Sequence, residues 1–342
     1  MNLAWDIFLL LLLVGGIVIA CEAFTNAIEW LGKLLKLNEG AVGSVLAAVG
    51  TALPETVIPI IAIVGAWLAG TSGGEAIGEG AIIGAPFMLS TLAMFVTGVA
   101  VVVFVRQGRR TEDMMVDATV LGRDLLTFLL TYAAAIAISF LPDWRIVGPL
   151  SLKALLGCGF IVIYALYVKR TLSAPGELGE DLGPLHFARN HATPPLGRVI
   201  WQISISLGAI LVGAHLFVNR IEHLSHLLQV PALLLSLLIT PIATELPEKL
   251  NSVIWVRVRK DTLALGNLTG AMVFQSCIPV AVGMWLTPWK LSAASIYSAV
   301  LALTASAIMI WYLRVRKKLT VYLLLICGGF YLLFLLGIFF VR

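Results

Sequence analysis

Apolar stretches of about 18 residues or more recur from one end of this chain to the other, each long enough to cross a hydrocarbon core of about 30 Å as a helix. That recurrence leaves little room for anything except a bundle of membrane helices. With 60% hydrophobic and 12% charged residues, the chain also lacks the charge to cover a water-exposed surface. The short alternating segments of a membrane β-barrel do not occur in the sequence. The hydropathy pattern predicts ten spans, at 4–30, 41–69, 76–104, 122–141, 147–169, 198–219, 227–256, 262–288, 293–313 and 320–341.

The basic residues test that number. With basic residues near a span end counted with the adjoining gap, odd-numbered gaps take 17 of the 23 Lys and Arg side chains, even-numbered gaps and the termini take five, and Lys249 is left within a span. By the positive-inside rule the odd gaps are expected in the cytoplasm and both termini outside. A missed or invented span would have scrambled the split. The net charge of +4 is then an orientation signal and requires no nucleic-acid partner. The first span has Asp6 where a basic n-region would stand, and is expected to be retained rather than cleaved as a signal. Cys21, Cys158, Cys277 and Cys327 all fall in apolar spans and read as packing residues.

One pentapeptide occurs twice inside these spans. Thr51-Ala52-Leu53-Pro54-Glu55 in span 2 returns 193 residues later as Thr244-Glu245-Leu246-Pro247-Glu248 in span 7. The register extends upstream, where Phe24, Asn26, Ile28, Glu29 and Leu31 match Phe217, Asn219, Ile221, Glu222 and Leu224. Gly80 and Gly84 of span 3 pair with Gly266 and Gly270 of span 8 at an offset of 186. Five spans per half is an odd number, so the second half enters the bilayer upside down. Inverted-topology repeats of this kind are typical of secondary transporters. The expected fold is an all-α membrane protein of about ten helices: a first five-helix repeat over 1–170, a polar cytoplasmic linker over 171–197, and a second repeat over 198–342.

A proline in mid-span removes a backbone donor and clashes with the carbonyl one turn earlier. Pro54 and Pro247 therefore free carbonyls around Gly50 and Ala52, and around Ala243 and Thr244. In hydrocarbon such groups must find a partner. A hard cation satisfies carbonyls and a carboxylate together. Glu55 and Glu248 follow their prolines directly, Thr51 and Thr244 add hydroxyls on the preceding turn, and inversion would bring the two breaks together near the midplane. The alternative is a pair of kinked helices carrying protonated, hydrogen-bonded glutamates.

The twin Thr-x-Leu-Pro-Glu motif, each copy followed by a Gly-rich span, resembles the two α-repeats of the Ca²⁺:cation antiporter superfamily, the sodium/calcium exchanger family and its relatives. The resemblance covers nearly the whole chain. It implies that Glu55 and Glu248 are the central Ca²⁺ ligands, that carbonyls of Thr51 and Thr244 assist, and that polar residues of spans 2, 3, 7 and 8 complete flanking Na⁺ sites. The chain departs from that pattern. The family's Ser after the Thr is Ala52 in one half and Glu245 in the other. Its Gly-Ser-Asn-x-x-Asn reads Gly84-Ala85-Pro86-Phe87-Met88-Leu89 in span 3, without a side-chain oxygen. In span 8 it reads Gly270-Ala271-Met272-Val273-Phe274-Gln275, with Asn267 one turn earlier as a further polar candidate.

Glu245 lies three residues before Glu248, on the same helix face. Three neighbouring carboxylates do not all stay ionised without a cation, so the cluster can trade a divalent cation for protons. The expected activity is cation antiport by alternating access, Ca²⁺ or another cation against H⁺ or Na⁺. Glu55 and Glu248 bind the ion, and Glu245 either tunes the charge or pairs with Lys249 one turn on, which then reaches toward the cytoplasmic interface. No tightly bound cofactor is expected; the partners are the lipid bilayer and inorganic cations. Glu22 and His215 read as interhelical hydrogen-bonding residues, Glu75 and Glu79 as charges at the outer mouth of span 3, and Arg123 and Asp124 as interfacial. The competing readings are a cation channel and a degenerate family member that no longer transports. The chain has no H-x-x-x-H or H-E-x-x-H and only five histidines, which argues against an intramembrane enzyme. A small cytoplasmic loop and no organelle-targeting presequence fit a bacterial inner membrane.

Overall fold

The structure, a computed structural model, describes residues 3–52, 56, 59–60, 63–64, 68, 74–142, 144–147, 150–174, 182–190, 193–227 and 245–337. Ten main helices run through them. They are α1 (Leu3–Leu34), α2 (Glu39–Thr51, with a π-helical stretch at Val42–Ala47), α3 (Gly74–Met88 and Met94–Arg106, joined by a π turn at Leu89–Ala93), α4 (Ala118–Ser139), α5 (Leu152–Leu172), α6 (Leu196–Leu227), α7 (Leu246–Arg257), α8 (Asp261–Leu286), α9 (Ala293–Arg316) and α10 (Val321–Gly337). Each lies over one of the ten expected spans. The largest difference at a described end is α6, which runs on to Leu227 instead of stopping at 219. Short polar residues set several starts: Asn38, Asp117, Ser151 and Ser292 each accept a first-turn N–H at the head of α2, α4, α5 and α9. Seven of the ten are long and apolar enough to cross a membrane unaided; the described parts of α2, α7 and α10 are shorter.

Alternating helices require that gaps of equal parity meet and gaps of opposite parity do not. At the odd end, the two-residue strands Asp113–Met114 (before α4) and Leu319–Thr320 (before α10) pair antiparallel. There too Arg110 clamps Asp261 with two bonds, of 2.7 and 2.9 Å, and Lys260 pairs with Glu29. At the even end, Thr287 donates to Glu79 at 2.7 Å, Lys153 donates to the Pro288 carbonyl at 2.9 Å, and Arg220 reaches Asp6 near the N-terminus. Glu79 is thus buried and bonded, not a solvated charge at a mouth. The polar linker folds back on the odd end. Trp30 and Asn26 donate to the carbonyls of Gly183 and Pro184, and Gln202 accepts from the Phe187 N–H.

α8 is the axis of the bundle. In its most apolar window 83% of residues are buried, against 28% in α1 and 22% in α5 and α6, which face lipid. Small residues let α2 come against α8 backbone to backbone. A Cβ on Gly270 would collide with the main chain of Ser44, and one on Gly43 would sit 2.8 Å from the Leu263 carbonyl oxygen. The matched Gly80 and Gly84 on α3 have no described atom within 4 Å of that position.

Asp124 departs most from the sequence reading. It is fully buried on α4, not interfacial. Its carboxylate accepts from Ser44 of α2 at 2.6 Å, Thr269 of α8 at 2.9 Å, Tyr167 of α5 at 3.0 Å and the adjacent Arg123 at 3.2 Å. An ionised carboxylate accepts about four such bonds, so its capacity is filled and four helices are tied at one point.

Candidate cation site

In each half a helix end falls at the same step of the motif, the end of α2 in the first and the start of α7 in the second. Ala52 leaves α2 at φ −82°, ψ 5°, and Glu245 precedes α7 at φ −88°, ψ 12°. These two positions are separated by the 193-residue offset, and both fall in the sparsely used bridge region. The cause in α7 is Pro247, which sits in the first turn of a new helical segment, where its missing N–H costs nothing. The proline thus stands at the start of α7. Gly50, one residue before Thr51, packs against the ring of Phe24 on α1.

Glu248 occupies the first turn of α7, at the positive end of its dipole, and is completely buried. Neither carboxylate oxygen makes a hydrogen bond. Thr51 lies beside it across the α2–α7 contact; its hydroxyl donates to the Ala47 carbonyl at 3.2 Å and keeps its oxygen lone pairs for a cation. Cys21 of α1 also lies within electrostatic reach of Glu248. Asn267 of α8 donates to the Glu248 backbone carbonyl at 3.2 Å and leaves its own Oδ1 unbonded. Gln275, two turns further along α8, is buried with both amide atoms unbonded and makes no hydrogen bond to the other candidates.

Glu245 is settled by geometry. Its Oε2 accepts from Lys249 Nζ at 2.9 Å, with both side chains nearly inaccessible. Lys249 therefore does not reach the interface; it is buried in the bundle next to Glu248. Glu22, by contrast, pairs with Arg257 at 2.9 Å where both are largely exposed.

The structure thus brings Thr51, Glu245, Glu248 and Asn267 together, with Gly50 and Pro247 forming their backbone frame. Glu55, Pro54, Ala243 and Thr244 lie outside the described residues, so the second carboxylate has no described position. Among the described residues, no group of three or more His, Cys, Asp or Glu side chains is arranged to hold a metal. Asn251 was missed on sequence grounds. It is buried with both amide atoms unbonded, three residues after Glu248. The helical i, i+3 spacing from Glu248 would have pointed to it.

A burial-satisfied helix bundle leaves few polar atoms without a partner. Here Glu248, Asn251, Asn267 and Gln275 leave seven unbonded side-chain atoms on the two helices α7 and α8. Oxygens of this kind are hard ligands, suited to alkali or alkaline-earth cations.

Comparison with known proteins gives the context. The family profile described as sodium/calcium exchanger protein matches residues 5–172 and 198–340. The chain belongs to that family. Its members are transporters, not enzymes. The CaxA protein of Alkalimonas amylolytica, which carries an antiporter name, is 24% identical over 322 residues, 89% of each chain. Among solved structures, the sodium-calcium exchanger NCX_Mj soaked with 10 mM Na⁺ and zero Ca²⁺ superposes with a TM-score of 0.74 at 17% identity, covering both chains completely. The same exchanger in 2.5 mM Na⁺ and 10 mM Sr²⁺ gives 0.75, again over both whole chains. At that identity the likeness establishes the fold: an all-α membrane protein of the exchanger architecture.

Proposed function

We propose that this exchanger-type protein moves Ca²⁺ against H⁺, with Na⁺ dependence relaxed or lost. The observation that carries the reading is the buried Glu248 carboxylate with two unbonded oxygens at a helix break. Burying a carboxylate without partners is costly, so it either takes up a cation or is neutralised by a proton. Alternation between those two conditions is the chemistry of cation/proton exchange. In this reading Glu55 from the first repeat completes the cage, and Thr51, Thr244 and the carbonyls freed by the two prolines add neutral oxygens. Two features support a weak role for Na⁺. The α3 stretch from Ala85 to Leu89 offers no side-chain oxygen, and the first hydroxyls, those of Ser90 and Thr91, come only beyond it, where they donate to the Phe87 carbonyl. The charge split supports odd-numbered loops in the cytoplasm of a bacterial inner membrane, with both termini outside.

Proteoliposomes loaded with labelled Ca²⁺ test this, with Na⁺ and H⁺ gradients imposed separately. The pH gradient should drive saturable Ca²⁺ flux, and an equal Na⁺ gradient should drive much less. Flux driven by Na⁺ alone would assign the opposite counter-ion. Flux that neither saturates nor needs a counter-ion would make the protein a channel.

A further inference from the structure

The second repeat carries a buried ion pair where the first carries none. Glu245 and Lys249 correspond, at the 193-residue offset, to Ala52 and Thr56. Ala52 is fully buried, and Thr56 is buried with its hydroxyl on the Ala52 carbonyl at 3.2 Å. The α2 copy of the motif thus holds its helix break without any charge at these two steps. A buried Glu–Lys pair adds little net stability, because desolvating both ions offsets most of their attraction. Folding therefore does not explain the pair.

Its position suggests another role. Lys249 Nζ makes one hydrogen bond, to Glu245 Oε2, although an ammonium has three donors. Glu245 Oε1 is unbonded, as are both oxygens of Glu248, and the Lys249 charge lies within electrostatic range of Glu248. Tyr331 of α10, with an unbonded hydroxyl, lies within electrostatic range of Glu245. A compact monovalent cation on a flexible stem is thus held on one Glu245 oxygen, within electrostatic range of a second carboxylate whose oxygens are both unbonded.

We propose that the Lys249 ammonium is a tethered counter-ion: it fills the place one exchangeable monovalent cation would take beside Glu245, and lowers by one the number of coupling ions carried per cycle. This deepens the antiporter reading above and rests on it. The carboxylate count of the site then exceeds what the exchanged ions must neutralise, because one negative charge is permanently matched from within the chain.

The test compares wild type, Lys249→Gln, Lys249→Arg and Glu245→Gln/Lys249→Gln in proteoliposomes. Membrane potential is clamped with K⁺ and an ionophore, and the potential at which net Ca²⁺ flux vanishes reports the coupling ratio. Lys249→Gln should gain one monovalent cation per Ca²⁺, whereas Lys249→Arg and the double variant should keep the wild-type ratio. An unchanged ratio in Lys249→Gln, or a double variant that behaves like it, overturns the proposal. A second readout does not depend on transport. In detergent, added Na⁺ should raise the melting temperature of Lys249→Gln by a few degrees, through binding to the uncovered Glu245, and leave wild type and the double variant unmoved. Equal Na⁺ responses in all three would also overturn it. Wild type that carries no Ca²⁺ under any gradient would sink the antiporter reading, while the Na⁺-dependent melting comparison would still decide the tethered ion.

Discussion

Single side chains divide into those that hold the bundle and those held ready by it. Asp124 belongs to the first group. Removing its carboxylate leaves the hydroxyls of Ser44 and Tyr167 buried without their acceptor, while that of Thr269 keeps the Leu265 carbonyl. Asp124→Ala should destabilise the protein by about 2–3 kcal/mol, seen as a lower melting temperature in detergent. Glu248 belongs to the second group, having no bonded partner to lose. Glu248→Gln keeps the shape, should leave the melting temperature near wild type, and should cut labelled Ca²⁺ uptake by at least about tenfold, a loss of roughly 1.4 kcal/mol or more. A variant that transported normally would remove Glu248 from the site. The sequence could single out Glu248 because a charge inside an apolar span is conspicuous. It could not separate Asp124 from an interfacial aspartate, since Arg123 beside it and the nearby span end looked the same from either position. Lys249 was misjudged for a related reason: reach toward the interface is a property of long side chains in general, whereas the acceptor that holds this one in the core is seen only in three dimensions.

Among helices, the close contact of α2 with α8 is the least forgiving. Gly270→Val would drive two branches into the Ser44 main chain and should lower stability by more than about 3 kcal/mol, the upper end for ordinary overpacking, or prevent folding. The Arg110–Asp261 clamp joins the turn before α4 to the first residue of α8, with the guanidinium also on the Val256 carbonyl. Arg110→Met alone should cost about 3–5 kcal/mol by stranding Asp261, and Arg110→Met/Asp261→Leu should recover most of it. Thermal melting of the single and double variants checks both. Helix number and the breaks at the motif were legible in advance, because hydropathy, proline and the repeated pentapeptide are all local signals. The π-helical stretches were not, since they depend on how α2 and α3 meet their neighbours.

For the whole molecule, the decisive signal in the sequence was the parity of basic loops, and the structure contains the contacts that parity demands. Sidedness can be checked directly. In a background without the four native cysteines, cysteine at exposed Met115 and at exposed Trp144 should label from opposite faces of the membrane, the former from the cytoplasm. Labelling from one face would refute the ten-span topology. The tight seat of Gly270 against Ser44 could not be read from the chain, where Gly84 and Gly270 look alike. Gly84→Val meets open space in the conformation described and should fold normally. Under alternating access the two faces exchange environments, so the same variant should slow Ca²⁺ flux while leaving melting temperature unchanged.

The burial of α8 on nearly every side carries a last consequence. A helix that shows lipid a broad face can drift in composition, because one apolar side chain serves a fatty-acyl tail as well as another. α8 has almost no such face. In a saturation library scored for growth or fluorescence, its positions should reject most replacements, while the outward positions of α5 and α6 accept nearly any hydrophobe. Change of ion preference along the lineage would then have had to enter through shorter neighbours such as α7, leaving the central stave the slowest-evolving part of the chain.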